Sequence, residues 1–353
     1  MPHPPQAQRT HALRLSVVVP AHNAAGLLPK SLGALRASDL PRDEWELIVV
    51  DDASADGTAA IAERDAELVL RLSAPARGPA YARNCGAERA RGEYLVFVDA
   101  DVCVHPDALR RFADLLDREP DVGAAFGAYD AAPPASGVVS QYRNLLHHYV
   151  HTESAGDAET FWAGCGAVRA SVFAEAGMFD ARRYPRPQIE DIELGHRIRA
   201  LGQRIVLRPD IQGTHLKRWT LTGMVTTDLC DRGVPWMRLL LQRRGDTRRD
   251  TLNIRRAEKV YTALVGAALA AAAVAAARGE WQWLIAAAAC VVAVIGGNAR
   301  LYLWFARQRG WAFALQTVPL RMLYYALNGV SAAAGWVAHT LLDGRAARRV
   351  AGA

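Results

Sequence analysis

The chain has 353 residues, which suits one large domain with an additional segment, and its 51% apolar and 22% charged residues exclude a disordered or low-complexity protein. Its net charge of +6 favours an anionic partner such as nucleic acid, a phosphorylated ligand or anionic lipid. The five cysteines are widely separated and form no CxxC pair, so we expect a reducing compartment, without a disulfide scaffold or a zinc site.

The N-terminal segment, residues 1–14, contains Pro, His and Gln but no apolar run. A secretory signal peptide needs an apolar core of about 7–15 residues, and a membrane anchor needs a longer one. We therefore expect residues 1–14 to be disordered and the chain to start in the cytoplasm.

Short apolar runs alternate with stretches of helical spacing between residues 15 and 110. This alternation predicts an α/β fold in which helices cover both faces of a parallel sheet. A later apolar run predicts another strand, Arg204–Leu207, followed by a turn at Pro209-Asp210. The first four predicted strands are Leu15–Pro20, Glu46–Val50, Glu67–Leu72 and Tyr94–Val98, and the first two predicted helices are Leu27–Leu35 and one beginning at Thr58.

Polar residues follow three of these strands, at the edge where a parallel sheet binds its ligands. They are His22-Asn23, Asp51-Asp52 and Asp99-Ala100-Asp101. Asp99 and Asp101 offer hard oxygen ligands to Mg²⁺ or Mn²⁺, and such an ion can neutralise a diphosphate. The alternative for this pair is a turn on the protein surface. The sequence therefore predicts a site at the carboxyl edge of the sheet.

Residues 51–58 allow two interpretations. Asp51 or Asp52, at the end of a strand, would contact a ligand. Ser54 or Asp56 would satisfy the free amides at the start of the following helix. Both interpretations can hold together, because they use different residues.

Three long stretches near the C-terminus contain no Asp, Glu, Lys or Arg: Val260–Ala277, Trp281–Asn298 and Met322–Leu342. About 20 helical residues cross a hydrocarbon core of about 30 Å. We therefore expect a transmembrane region over residues 260–342, with two or three spans. The alternative is a buried helical bundle in a soluble protein.

Basic residues cluster beside these stretches, in a juxtamembrane segment over residues 241–259 and in a tail over residues 343–353. Such clusters favour the cytoplasmic side, where they face anionic headgroups. Because the excess charge lies there, nucleic-acid binding is disfavoured. Three spans would place the tail outside, against the same bias, so the number of spans stays open.

Five motifs occur in one order: Val17–Asn23, Val49–Thr58, Ala82–Asp101, Trp162–Arg169 and Phe179–Leu194. On these motifs, residues 15–225 resemble a family 2 glycosyltransferase. The resemblance implies a GT-A fold, which is Rossmann-like, in a domain over residues 15–240. It also implies that a sugar is taken from a nucleotide-diphosphate donor with inversion of the anomeric centre. His22 departs from the pattern, since the family commonly has Tyr or Phe there.

The resemblance implies a role for individual residues. It assigns the catalytic base to Asp191, whose alternative role is to start a helix. It implies a metal site for Mg²⁺ or Mn²⁺ formed by Asp99, Asp101 and His215, although a lone histidine is more often structural. The implied acceptor-side residues are Gly164, Cys165 and Glu190. The implied donor-binding residues are Pro20, Ala21, Asn23, Asp51, Asp52, Arg83 and Asp99.

These inferences predict a membrane-attached, metal-dependent inverting glycosyltransferase of the inner (cytoplasmic) membrane, with its catalytic domain on the cytoplasmic side. A lipid-linked or polyprenyl-phosphate acceptor, as in cell-envelope glycan or glycolipid synthesis, would suit such an anchor. One alternative is a non-catalytic sugar-nucleotide-binding or scaffold protein of the same fold. Another is nucleotide transfer to a sugar phosphate, but Pro20–Gly26 is not the Gly-rich, Lys-containing loop that this activity needs.

Overall fold

The computed structural model describes residues 13–243 and 256–343. The chain forms two compact units. The first unit contains the described residues of Met1–Gly127, Phe161–Arg186 and Leu194–Gly213, and the second contains those of Ala128–Thr160, Pro187–Glu193 and Thr214–Ala353. The predictions for residues 1–12, for the basic positions from 244 to 255 and for the tail from residue 344 lie outside the described residues.

Strands and helices alternate along the chain from Leu15 to His215. The first, second and fourth predicted apolar runs form strands that are buried on both faces of the sheet, whereas the third lies at the sheet edge and is only partly buried. In chain order the elements are β1 (Leu15–Ala21), α1 (Leu28–Arg36), β2 (Trp45–Asp51), α2 (Thr58–Ala62), β3 (Leu68–Arg71), α3 (Pro79–Ala87), β4 (Tyr94–Val98), β5 (Val102–Val104), α4 (Ala108–Arg118), β6 (Val122–Tyr129), α5 (Val138–Thr152), β7 (Gly156–Ala158), β8 (Cys165–Arg169), α6 (Ala170–Glu175), α7 (Glu190–Ala200) and β9 (Arg204–His215).

The sheet is mixed, with the order β3-β2-β1-β4-β8-β6-β9-β5. β1 pairs in parallel with β2 and β4, and β2 pairs in parallel with β3, as the sequence predicts for these four strands. β8 instead runs antiparallel to both β4 and β6. Because β1, β2 and β4 are parallel neighbours, the polar residues that follow them lie at one edge of the sheet.

β9 continues through the predicted turn at Pro209-Asp210. Arg208 donates two hydrogen bonds of 2.9 Å to the Asp210 carboxylate, and Arg111 of α4 donates a third, also of 2.9 Å. The Gln212 side chain donates to the Pro209 carbonyl at 3.0 Å. The predicted turn is therefore wrong, because the neighbouring side chains of Arg208 and Gln212, together with Arg111 of α4, hold the Pro-Asp pair in an extended strand.

After β9 the described residues are mostly helical. The helices are α8 (Leu221–Thr226), a π-helical segment (Thr227–Gly233, the π segment), α9 (Val234–Gln242), α10 (Arg256–Arg278), α11 (Gln282–Gly297), α12 (Ala299–Arg309) and α13 (Trp311–Ala338), followed by a π-helical turn (His339–Asp343). One core joins several of these helices to α5, and we call it the α5–α12 core. In it, Tyr142, Leu145 and Leu146 of α5 pack with Phe305 and Phe313 among others.

One helix in the described part of the chain, α10, is long and apolar enough to cross a membrane by itself. The pair α11 and α12 also qualifies if it is treated as one span, although it bends by 61°. The third predicted stretch, Met322–Leu342, forms the later part of α13 and the turn after it. That helix begins earlier, at Trp311, and includes Arg321.

Candidate active site

A cleft in the first unit opens at the carboxyl ends of β2 and β3, with a volume of about 420 Å³. Asp51 ends β2 in the wall of this cleft, and its Oδ1 accepts a hydrogen bond from the Ser54 amide at 3.3 Å. Most of the other residues that line the cleft have small side chains. The lining residues are Asp51, Ala53, Ser54, Asp56, Ala59, Ala60, Arg71, Leu72 and Ala74.

Asp52 holds the backbone of the loop that follows β3. Its two carboxylate oxygens accept hydrogen bonds from the Arg77 amide, at 2.9 and 3.0 Å, and one oxygen accepts another from the Gly78 amide at 2.7 Å. Gly78 has a φ of +87°, and a Cβ there would lie 2.5 Å from the Pro185 carbonyl oxygen. Asp52 therefore fixes a tight loop beside the cleft.

The turn after β1 is held by side chains from the segment after β2. Asn23 has a φ of +48°. Its amide donates to Ser54 Oγ, and its Oδ1 accepts from the Ala55 amide, both at 2.9 Å. His22 Nδ1 lies 2.6 Å from the Asp52 carbonyl oxygen, and its Nε2 lies 2.9 Å from the side-chain Nδ2 of Asn23. A neutral ring protonated on Nδ1 satisfies both contacts.

Asp56, rather than Ser54, satisfies the free amides at the start of α2. Its Oδ1 accepts a hydrogen bond from the Thr58 amide at 3.0 Å, and its Oδ2 accepts one from the Ala25 amide at 3.1 Å. The hydrogen bond from the Thr58 hydroxyl lowers the pKa of Asp56 below its usual value. Asp56 therefore lines the cleft as a carboxylate, and both of its oxygens already accept hydrogen bonds that hold the local backbone.

Arg83 and Asp99 form an ion pair where β4 ends. Arg83 Nη2 donates to Asp99 Oδ1 at 2.6 Å, and the Arg83 side chain is buried while Asp99 remains partly exposed. Asp101 lies half-buried in the turn between β4 and β5. The structure thus brings Arg83, Asp99 and Asp101 to the same edge of the sheet as Asp51, within the first unit.

Gly164 and Cys165 adjoin the end of β4. The Asp99 amide donates to the Gly164 carbonyl at 3.1 Å, and a Cβ on Gly164 would lie 2.5 Å from the Trp162 ring. Burial, and then the Asp99 carboxylate, raise the pKa of the Cys165 thiol to about 12. Cys165 is therefore a protonated thiol at neutral pH and is unsuited to act as a nucleophile.

Glu190 and Asp191 begin α7 in the second unit. Glu190 is buried, and its Oε2 accepts a hydrogen bond from the Gln188 amide at 2.9 Å. Asp191 is half-buried, and its Oδ1 accepts from the Ile192 amide at 2.8 Å. Both carboxyl groups thus contact amides at a helix start, where negative charge is favourable. This geometry agrees with the structural role of Asp191 and leaves the catalytic role as a proposal.

His215 ends β9 in a well-packed position of the second unit. Its ring stacks on Tyr129 with centroids 4.2 Å apart, and its Nδ1 lies 2.6 Å from Asn144 Oδ1. The Asn144 Nδ2 donates to the Lys217 carbonyl at 3.3 Å, which orients the amide. Since the amide oxygen can only accept, His215 carries a proton on Nδ1, and in the neutral ring Nε2 is the nitrogen with the lone pair.

No group of three or more His, Cys, Asp or Glu residues within residues 13–243 and 256–343 is arranged to hold a metal ion by itself. Carboxylate oxygen with imidazole nitrogen is nevertheless a donor set that Mn²⁺ accepts. Asp99 and Asp101 belong to the first unit and His215 to the second, so the metal site that the sequence predicts from these three residues stays a prediction. An ion would therefore need further ligands from a bound molecule, such as diphosphate oxygens.

The sequence alone does not identify Asn144 of α5 as a partner of His215. Asn144 is 1% exposed and shares its helix face with the polar residues Ser140 and His151, which are also buried. His147, also on α5, packs at a tilt against Tyr129 with ring centroids 4.3 Å apart, and the rings of His147 and His151 lie 3.9 Å apart. Burial, followed by the charge of His151, holds the pKa of His147 well below its usual value.

Residues 16–176 match the model of the family described as Glycosyl transferase family 2. The glycosyltransferase AglE of Haloferax volcanii is 34% identical over 210 residues, which are 58% of this chain and 67% of AglE. The poly(ribitol-phosphate) β-N-acetylglucosaminyltransferase TarS of Staphylococcus aureus is 33% identical over 109 residues, which are 30% of this chain and 19% of TarS. The match to TarS therefore covers about a fifth of that relative.

Two solved structures share the fold of most of the chain. The mannosyltransferase PcManGT of Pyrobaculum calidifontis, in complex with GDP-Man and Mn²⁺, gives a TM-score of 0.52 at 21% identity, covering 90% of this chain and 86% of that one. Residues 1–349 of S. aureus TarS, in complex with UDP-GlcNAc, give a TM-score of 0.51 at 18% identity, covering 91% and 89%. At these identities the likeness concerns the fold alone.

Proposed function

Because the chain belongs to glycosyl transferase family 2, we propose that it transfers a sugar from a nucleotide-diphosphate donor to a hydroxyl or phosphate acceptor, inverting the anomeric centre. The observation that carries the proposal is the Asp51-lined cleft at the carboxyl ends of β2 and β3. Open α/β sheets bind nucleotides at such an edge. The bound GDP-Man and UDP-GlcNAc of the two fold relatives support the donor class.

The cleft residues would hold the nucleotide of the donor. Asp51 would accept a hydrogen bond from the base or ribose, and Asp52 would keep the loop at Gly78 in place. Pro20, Ala21 and Asn23 would border the same ligand from the end of β1. Arg83 would face the diphosphate, since a buried guanidinium beside a partly exposed carboxylate is a strong hydrogen-bond donor to phosphate.

A divalent ion, Mg²⁺ or Mn²⁺, would be held by Asp99, Asp101 and His215, the three residues that the resemblance implies. When bound, it would neutralise the charge that develops on the leaving diphosphate. His215 suits this role because Asn144 fixes its tautomer. The Mn²⁺ in the PcManGT complex supports a divalent ion.

Asp191 would take the proton from the attacking acceptor group. Inversion by a single displacement needs one such base and no covalent intermediate. The raised pKa of Cys165 agrees with a mechanism that uses no thiol nucleophile. Gly164, Cys165 and Glu190 would lie on the acceptor side.

A donor panel tests the proposal on the full chain in detergent. UDP-Glc, UDP-GlcNAc and GDP-Man are each supplied with a polyprenyl phosphate, and the release of nucleoside diphosphate is measured beside donor binding by calorimetry. We expect one donor to bind and to be turned over. Binding without release for every donor would favour the non-catalytic alternative, and the absence of any binding would contradict both.

We also propose that the chain is a multi-pass protein of the cytoplasmic membrane, with the catalytic residues on the cytoplasmic side and a lipid-linked acceptor. The apolar helix α10 and the apolar pair α11–α12 support this proposal. Exposed side chains on these helices include Leu269, Leu284, Ile285 and Val292. Such an uncovered apolar surface needs lipid or a partner. Retention of the full chain in carbonate-washed membranes is the expected result, and release into the soluble fraction would contradict it.

A further inference from the structure

α13 has its charged side chain inside and its apolar side chains outside. Residues 311–341 contain one residue of the Asp, Glu, Lys or Arg type, Arg321, and it is 5% exposed. A helix that faces water has the opposite arrangement. The most exposed large side chains of α13 are Trp311, Leu315, Val330, Trp336 and Val337, which we call the outer strip. The outer strip therefore fits contact with lipid.

Arg321 fastens α13 to two neighbouring helices. Its Nη2 donates to Glu258 Oε1 of α10 at 2.7 Å, and its Nε donates to Asn298 Oδ1 at 3.1 Å. Asn298 is the residue at the bend between α11 and α12, and Tyr325 also donates to its Oδ1, at 3.0 Å. The buried face of α13 thus contains a connected set of polar groups that excludes lipid from that side.

The first turns of α13 pack against the α5–α12 core. Phe313 contacts Phe305 with ring centroids 5.6 Å apart, and Phe305 contacts Tyr142 of α5 at 6.0 Å. α5 is the helix that also carries Asn144, the partner of His215. The start of α13 therefore belongs to the same core as α5, the helix that contacts His215.

The last turns of α13 pack against the π segment and α9. A Cβ on Gly335 would lie 2.6 Å from Met237 Cβ, and one on Gly233 would lie 2.1 Å from Ser331 Oγ. The π segment is joined to α5 by a buried ion pair, in which Arg143 Nη2 donates to Asp228 at 2.5 Å. The two ends of α13 therefore contact α5 and the π segment, and the ion pair of Arg143 and Asp228 joins these two elements directly.

These contacts argue against a straight crossing by α13. Its 28 residues extend about 42 Å, which exceeds a hydrocarbon core of about 30 Å. A spanning helix of this length would carry its two ends to opposite membrane surfaces. The two ends are instead held by α5 and the π segment, which the ion pair of Arg143 and Asp228 joins directly.

α10 and α11 instead have the features of a membrane hairpin. The turn between them contains Gly279, with a φ of +68°, followed by Trp281 and Trp283, which are exposed as interfacial aromatic residues are. α11 ends at the Asn298 bend, from which α12 leaves at 61°. The exposed basic residues Arg300, Arg307 and Arg309 follow the bend. The positive-inside bias therefore favours the cytoplasmic surface for α12.

We propose that the chain crosses the bilayer twice, through α10 and α11, and that α13 lies along the cytoplasmic surface with its outer strip against the lipid. The partner is a bilayer with anionic headgroups, which the exposed arginines of α12 would face. The inference rests on the proposed membrane attachment. It is independent of the proposed catalysis, because topology can be measured without turnover.

Cysteine labelling of the full chain tests the topology. Arg278→Cys reports the hairpin turn, Arg307→Cys reports α12, and Thr340→Cys reports the region after α13; all three side chains are exposed. A membrane-impermeant maleimide is applied to spheroplasts and to inside-out vesicles, and labelling above that of the parent chain is measured. We expect Arg278→Cys to react several-fold more in spheroplasts, and the other two to react several-fold more in inside-out vesicles.

Two results would overturn the proposal. If Thr340→Cys and Arg278→Cys reacted from one side and Arg307→Cys from the other, α13 would span the bilayer. If all three positions reacted from the cytoplasmic side, the hairpin would not cross. Leu341→Cys, at a second exposed position, serves where Thr340→Cys does not accumulate. A chain that carbonate removes from the membrane would contradict the proposed attachment itself, which separates that failure from an error in topology.

Discussion

Asp191 and Glu190 are neighbouring carboxyl groups with different surroundings, and this difference allows a test at the residue scale. Glu190 is buried and bonded to the Gln188 amide, whereas Asp191 is half-buried. We expect Asp191→Asn to keep donor binding and to lower the transfer rate by about 10²–10⁴-fold, because the amide has the same shape and cannot accept the proton. Donor calorimetry and single-turnover transfer measure the two effects.

Glu190→Gln is the matched comparison for Asp191→Asn. Its amide can still accept the hydrogen bond from the Gln188 amide, so we expect a smaller fall in rate and a higher acceptor KM. A turnover of Asp191→Asn within a few-fold of the parent would exclude it as the base. A large fall for Glu190→Gln alone would then move the assignment to Glu190.

His215 has packing contacts that a purely structural residue would also have, so its test needs two measurements. We expect His215→Ala to raise the Mn²⁺ concentration for half-maximal activation, to weaken donor binding, and to recover part of its activity in excess Mn²⁺. Losing one ligand usually weakens a metal site without abolishing it. A Mn²⁺ titration followed by electron paramagnetic resonance gives the binding midpoint without relying on turnover.

The loss of stacking on Tyr129 is the competing explanation for any effect of His215→Ala. Asn144→Leu is informative here, since it removes the acceptor of His215 Nδ1 and leaves the ring in place. If the metal midpoint stays fixed in both variants while the melting temperature falls, His215 is structural. A raised acceptor KM with an unchanged metal midpoint would indicate contact with the acceptor.

The sequence predicts those candidate site residues that lie within continuous motifs at strand ends. Asp51, Asp99 and Asp101 follow apolar strands, so the rule for parallel sheets is enough to place them at one edge. Asn144 could not be assigned in this way, because its contact with His215 joins positions 71 residues apart. The structural role of Asp52 depends equally on the fold, since its partners belong to the loop after β3.

At the scale of elements, the contact between α10 and α13 depends on the ion pair of Glu258 and Arg321. We expect Arg321→Met to lower the free energy of unfolding by about 3 kcal/mol, the lower end for a broken buried pair, because Glu258 keeps some exposure to solvent. Glu258→Leu with Arg321→Met should cost less than the sum of the two single changes, because no unpaired charge remains. Thermal unfolding in detergent measures all three.

Arg307→Met is the control for this double-mutant cycle, since Arg307 lies exposed on α12. We expect its effect to stay within about 0.5 kcal/mol. If the two single changes at Glu258 and Arg321 added up without coupling, the pair would contribute nothing specific to the contact between α10 and α13.

Elements whose pairing is local could be predicted, and those that depend on distant partners could not. β1, β2 and β4 follow directly from apolar runs, whereas the antiparallel place of β8 between β4 and β6 has no local signal. The helix at residues 311–338 is instructive in the same way. Arg321 interrupts the apolar pattern in the sequence, but α13 continues through it because Glu258 and Asn298 satisfy the charge.

At the scale of the whole molecule, the C-terminal helices are part of the core of the second unit. Phe305 is fully buried among Tyr142, Leu145 and Leu146 of α5. The sequence suggests a soluble domain followed by a separable membrane region, because composition changes sharply near residue 260. In the structure the two regions are not separate, because α12 and α13 pack on the apolar surface of α5 in one hydrophobic core.

A chain that ends at Arg255 should therefore not behave as a stable soluble domain. It would lack Leu301, Tyr302 and Phe305 and so would expose their partners on α5. Truncating one such side chain costs about 2–5 kcal/mol, and a domain has only about 5–15 kcal/mol in total. We expect aggregation or a much lower melting temperature, measured by size-exclusion chromatography and thermal unfolding. In the full chain, Phe305→Ala should destabilise by about 3–5 kcal/mol, whereas Leu303→Ala, at an exposed position of the same helix, should change stability by about 0.5 kcal/mol or less. A monomeric shortened chain with the melting temperature of the parent would mean that α5 does not need α12 and α13.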